Sequence, residues 1–208
     1  MKKISKTALV LMITFLFTGC SEINTYNAYE NLYNCYSNMH AYKAEVAVTS
    51  YSNNSENKYT LMQYYKAPNK QRTEYVSEKG GSNITVINGE NGKIISDYST
   101  VPFILSSSDI EEKDYLMLST FFDIYYASEE TSVKVSAKKT GDDKNGKITL
   151  SAETGSDNPY KKTVELVVNT STLDPIKMTV KDEKGKPSLC VEYLTFELNP
   201  QIEDSIFE

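Results

Sequence analysis

Histidine is nearly missing from this chain: His40 is the only one in 208 residues. That excludes an HExxH zinc site and any pair of imidazole ligands. Cysteine is scarce as well. Cys20, Cys35 and Cys190 are the whole complement and they stand far apart, so no clustered zinc site is encoded. There is no G-x-S-x-G elbow and no glycine-rich phosphate loop; Gly80-Gly81 reads as a turn in strand context. Basic residues are the minority, 22 against 28 acidic, which argues against nucleic acid or anionic lipid head groups as partners. Only one long apolar run exists, at residues 8–17. It is too short to span a bilayer, which takes about twenty residues.

That run does suit the central part of a secretory signal. Lys2, Lys3 and Lys6 precede it as a positive leader, and Leu16, Phe17, Thr18, Gly19 and Cys20 follow. Small residues ending at one cysteine resemble the signals of bacterial lipoproteins. In that family a peptidase cuts before the cysteine, here between Gly19 and Cys20, and the thiol carries the lipid. The thiol is needed because it is the nucleophile. Phe17 departs from the family's usual Leu, and the other reading is a secreted protein with an incidental cysteine. Residues 1–19 are thus expected to be a signal peptide and residues 20–208 one domain. Removing the signal takes three lysines, leaving 19 basic against 28 acidic side chains and a net charge of −9. Two or more acyl chains would anchor the protein stably, at about 0.8 kcal/mol per buried methylene.

In an exported chain Cys35 and Cys190 could form a disulfide or stay as two buried thiols; sequence leaves both open. His40 falls at an expected helix end, where its charge suits the dipole. Glu111-Glu112, Glu129-Glu130 and Asp142-Asp143 fall in turns or at helix starts and read as solvated surface. No catalytic residue, metal or cofactor is expected.

Residues 23–39 predict a helix, because Ile23, Tyr26, Tyr29, Leu32, Tyr33, Tyr36 and Met39 recur at three- and four-residue steps on one face. From Ala44 the period changes to two. Ala44, Val46 and Val48 alternate with Glu45, Ala47 and Thr49, and strand patterns continue through residues 59–65, 72–76, 84–88 and 93–98, with GENG at 89–92 as a hairpin. Ser108 followed by Glu111 predicts a capping box and a helix over residues 109–126. That segment, DYLMLSTFFDIYYA at its centre, is apolar on most of its circumference and must be covered on most sides. Strand alternation resumes after Glu130 and is cleanest at Ile176, Met178 and Val180; near the end Leu194, Phe196 and Leu198 are expected to point one way. The count is about ten or eleven strands and two helices.

One-sided strands joined as hairpins imply an antiparallel sheet with one wet face. Both helices carry more apolar surface than a bare sandwich can use. The expected class is α+β: a large curved antiparallel sheet, a half-barrel, packed on two helices, with a closed barrel or a sandwich as the alternative. This order resembles the LolA/LolB-like lipoprotein fold. QYYKAPNKQRTEY at 63–75 is similar to that family's passage of tyrosine, lysine, proline and arginine between early strands. INGENGKIISDY at 87–98 is similar to its next hairpin, and LVVNTSTLDPIKMTVKDEKGKP at 166–187 to its late strands. With the lipobox and the Tyr-rich helix, the chain resembles the GerS-type germination lipoproteins of spore-forming clostridia. The resemblance implies a sporulation protein on the outer face of the cell membrane, in the space around the forespore. It would work beside a cortex-specific amidase of the CwlD type, which removes peptide stems on the way to muramic-δ-lactam.

Two functions follow. One is a non-catalytic module that binds and activates that amidase. The acidic surface and sixteen tyrosines suit protein contacts, and sheet edges could also pair two copies as a homodimer. The other is a carrier holding an acyl chain in the half-barrel. Its lining would come from Leu116, Phe121, Phe122, Ile176, Met178 and Val180, which could equally pack on one another.

Overall fold

The structure is a computed structural model and describes residues 25–52, 55–76, 81–111, 114–127, 135–140 and 146–208. The signal segment with Gly19 and Cys20, the acid pairs Glu129-Glu130 and Asp142-Asp143, and Glu112 lie outside the described residues.

Helix α1 (Thr25–Ser37) leads into β1 (Ala41–Ser52) and β2 (Ser55–Lys66). Then come β3 (Lys70–Val76), β4 (Ser82–Asn88), β5 (Asn91–Ser96) and the short β6 (Phe103–Ile104). Two helices follow, α2 (Ser107–Glu111) and α3 (Leu118–Ala127). The second run of strands is β7 (Val135–Thr140), β8 (Lys147–Glu153), β9 (Thr163–Asn169), β10 (Pro175–Lys181) and β11 (Pro187–Leu198), before a 3-10 turn, Asp204–Phe207. All eleven strands form one open, curved, antiparallel sheet in the order β6-β5-β4-β3-β2-β1-β11-β10-β9-β8-β7. Each wing is a run of consecutive hairpins. The wings join where β1 pairs with β11, Ala44 opposite Phe196 and Val48 opposite Val191.

The helices lie against the inner face of the sheet. Ala44, Val46 and Val48 are buried there with Leu61, Leu150, Leu166, Met178 and Val191, and Leu32, Tyr36, Leu118, Phe121 and Phe122 close the layer. Each of these Val, Leu, Met and Phe side chains contributes about 1.5–3 kcal/mol relative to leaving it in water. Helix α3 is covered nearly all round, with Asp123 the exposed residue in its first two turns. Among the described residues no helix is long and apolar enough to cross a membrane.

Three details differ from the sequence reading. The expected helix over residues 109–126 is two helices. The box that caps the first is Ser106 with Asp109: the Ser106 hydroxyl donates to the Asp109 carboxylate at 2.6 Å, and Asp109 N–H donates back to Ser106 Oγ at 3.3 Å. Between the two, Asp114 bonds locally, accepting Leu116 N–H at 2.9 Å on its carboxylate. Leu118 N–H, which a continuous helix would give to the Asp114 carbonyl, donates to the Tyr42 hydroxyl at 3.0 Å. The second difference is bulges. The register shifts at Ile176 and again opposite Glu45 and Val46, where Leu194 is the extra residue. Leu194 is therefore exposed, while Tyr193, Phe196 and Leu198 pack on the core.

The third is a strap formed by the last ten residues, which crosses the outer face of β2 to β4. Gln71, Thr73 and Tyr75 pair with Tyr65, Gln63 and Leu61 of the core side, so Lys70 and Arg72 point outward. Lys66 Nζ donates to the Ile202 carbonyl at 2.9 Å, Arg72 Nη1 to the Ile206 carbonyl at 2.9 Å, and Asp204 pairs with Lys66 and Lys70 at 2.7 and 3.1 Å. Phe207 is buried beside Val86, and both stand outside the inner core cluster.

Candidate functional site

The interior is built from rings. Tyr36 stacks on Phe122 at 4.3 Å between centroids, Phe122 on Tyr126 at 5.6 Å, and Tyr42 on Tyr65 at 5.4 Å. Phe196 touches Tyr36, Tyr42 and Tyr193. The Tyr36 hydroxyl donates to the Leu173 carbonyl at 2.7 Å. Burial pushes the phenols of Tyr36, Tyr42 and Tyr193 up from their ordinary value. Of the six side chains proposed as a cavity lining, Phe121, Phe122, Met178 and Val180 are buried in this core and Leu116 packs against it. Ile176 does not join them, because it is the bulged residue of β10. The gap left among Leu32, Tyr33, Phe122, Tyr125, Tyr126 and Leu150 is about 10 Å³, less than an acyl chain needs.

Cys35 and Cys190 are free thiols, so the disulfide considered from sequence is not formed. Cys35 sits on α1 against the core. Cys190 alternates with the core residue Val191 and so faces the other side of the sheet. The sheet stands between them. His40 is exposed on the link from α1 to β1, where its N–H donates to Asn199 Oδ1 at 2.9 Å. Among the described residues no three His, Cys, Asp or Glu group closely enough to hold a metal ion.

The outward-facing chemistry lies at the β6 end of the sheet. Tyr98, Val101, Phe103 and Ile104 are 79, 70, 64 and 69% exposed, within seven residues of chain. Sequence reading missed β6; its signal was the apolar VPFIL stretch after a Ser-rich turn. Local bonds fix the segment. The Asp97 carboxylate accepts the Ser82 N–H at 2.7 Å and the Ser82 hydroxyl at 2.9 Å, and Ser99 Oγ donates to the Val101 carbonyl at 2.7 Å. Tyr98 lies over Gly81, where a Cβ would come within 2.5 Å of the phenol oxygen. Leu105 N–H donates to the Gly92 carbonyl at 2.9 Å and closes β6 onto β5. One cleft opens on the outer face beside this edge, and another on the inner face where the β4–β5 turn meets α2. The inner one, about 500 Å³, is lined by Gln71, Ile87, Glu90, Ser107 and Ile110. The outer one, about 260 Å³, is lined by Val86, Glu90, Lys93, Ile104, Leu105 and Phe207.

A family model described as "Sporulation protein YdcC-like" matches residues 1–207. Among curated proteins none is similar to the chain by sequence. Among solved structures, an uncharacterized conserved protein from Thermus thermophilus aligns over 88% of this chain and 91% of its own, with 12% identity and a TM-score of 0.53, which shows a shared fold. The structure of the CwlD amidase from Clostridioides difficile in complex with the GerS lipoprotein contains a chain that aligns over 95% of this one and 98% of its own, with 22% identity and a TM-score of 0.46. A LolA superfamily protein from Nitrosomonas europaea aligns over 87% and 97%, with 12% identity and a TM-score of 0.43.

Proposed function

The chain belongs to the YdcC-like sporulation protein family, and from that premise we propose that it is a tethered, non-catalytic lipoprotein that binds and activates a cortex-modifying amidase. The carrying observation is the exposed apolar run at Tyr98, Val101, Phe103 and Ile104 on an otherwise acidic domain. Contiguous exposed apolar surface of this kind suits a protein contact. Phe121, Phe122, Met178 and Val180, the residues a carrier would use to line its cavity, are packed in the core instead, which favours this over an acyl-chain carrier. The partner is taken from the sequence resemblance to the GerS-type lipoproteins, which is carried by the lipobox ending at Cys20 and the Tyr-rich first helix. Lipid on Cys20, after cleavage behind Gly19, holds the domain at the outer face of the membrane, and tethering raises the partner's local concentration there.

The test is to co-express the full chain with the amidase of the same host and purify the membrane fraction in mild detergent. Co-elution, with faster release of peptide stems from cortex glycan, is the expected result. Separate elution with an unchanged rate would overturn the reading, and acyl chains extracted from the purified protein would then favour the carrier.

A further inference from the structure

The geometry points to β6 as a docking strand for an extended segment of the amidase, apolar at alternate positions and basic where it passes the β4–β5 hairpin. This rests on the partner-binding reading above. Among the described residues β6 pairs on one side only, with β5, through Ile94–Phe103 and Lys93–Ile104. Leu105 N–H bonds back to β5, so Ile104 is the residue of β6 whose backbone N–H and C=O face away from it, the start of a template for strand addition. The edge is also the end of two cross-strand rows. On the inner face Gln63, Thr73, Thr85 and Ile94 lead to Phe103; on the outer face Arg72, Val86 and Lys93 lead to Ile104. Exposure rises along the inner row from the buried Gln63 through half-buried Thr73, Thr85 and Ile94 to exposed Phe103. Both rows stop with their last apolar side chain bare.

A further strand at the usual spacing of about 4.8 Å would cover both, because its successive side chains point to opposite faces. The cleft of about 260 Å³ beside Ile104 and Leu105 lies on the outer face, and that of about 500 Å³ lies on the inner face at the β4–β5 turn, against α2. Charge sets the direction of preference. Glu90, at the β4–β5 turn, lines both clefts, and Glu208 also lines the outer one, with Lys93 as its only cation. A basic side chain in the incoming segment complements Glu90.

The test uses the full chain in detergent and the host amidase as probe, with binding measured at low and high salt. The Phe103→Lys, Ile104→Lys double variant changes only exposed side chains, so its melting temperature should match that of the parent. Its affinity is expected to fall by about tenfold or more. Glu90→Lys is expected to weaken binding by about threefold at low salt, with the loss shrinking at high salt. Tyr160→Ala, an exposed tyrosine away from this edge, should bind as the parent does. Parent-like binding by the double variant overturns the docking strand and leaves the partner reading standing. Failure of the parent itself to bind overturns both. If the parent is a dimer, and the double variant becomes monomeric with unchanged amidase affinity, the edge pairs copies of this chain and the inference is wrong.

Discussion

A phenol that loses its water on folding resists ionisation, and Tyr36, Tyr42 and Tyr193 are in that position. Burial is the largest cause for each. Their folded values lie above the ordinary 10.0, so the associated stability is complete below pH 10.0 and drains away as the pH climbs toward the raised values. A spectrophotometric titration should show phenolate forming in two steps, the second coinciding with loss of near-ultraviolet circular dichroism. A single step with the fold intact would contradict the burial. Gly92 has a steric role instead: a Cβ there would sit 2.8 Å from Leu105 Cδ1, 3.0 Å from Leu105 Cβ and 3.1 Å from Ile110 Cγ1. Gly92→Ala should cost about 1–3 kcal/mol in urea unfolding, as overpacking does. The burial of Leu32 and Tyr36 on α1 was readable because helical spacing is local. The roles of Gly92 and of the Tyr42 hydroxyl were not, because their contacts come from segments that only the fold brings together.

At the scale of elements, the strap responds to acid. Hydrogen bonds from Lys66 and then Lys70 hold the Asp204 carboxyl below its ordinary 3.8. A depressed folded value means that the contact is intact above the ordinary value and is lost as the pH falls through the lowered one. The ring signals of Phe207 in NMR should shift toward exposed positions in that window, below pH 3.8. In Asp204→Asn they should stop titrating. Phe207→Ala should cost about 3 kcal/mol, read by chemical denaturation, since the side chain is 1% exposed. The regular strands were legible from their period of two, as at Val164, Leu166 and Val168. The bulges at Ile176 and Leu194 were not, because an extra residue in one strand is defined by its partner. The strap escaped because NPQIEDSIFE has no periodicity; only the outward lysines and Arg72 give it a seat.

For the molecule as a whole, the order of signals in the sequence was enough for a curved sheet on helices, because hairpin follows hairpin in both wings. The proposed contact surface was not legible. Apolar residues at 101–105 look like any core strand until the sheet is seen to end there. The proposed anchor has a direct check. Cys20→Ser should move the protein from the membrane fraction to the soluble exported fraction and abolish labelling with radioactive palmitate. Continued membrane retention would refute lipidation at that residue.

The joint between the wings has a kinetic consequence. β1 is made early, and its second neighbour, β11, about 150 residues later: Ala44 waits for Phe196 and Val48 for Val191. If the chain is exported amino end first, as proposed, it completes one wing while one edge of β1 is still unpaired. Closing so long a loop is slow, since its entropy is spent before the contacts return it. Until the last strand arrives, the nascent half-sheet is the state most open to mispairing.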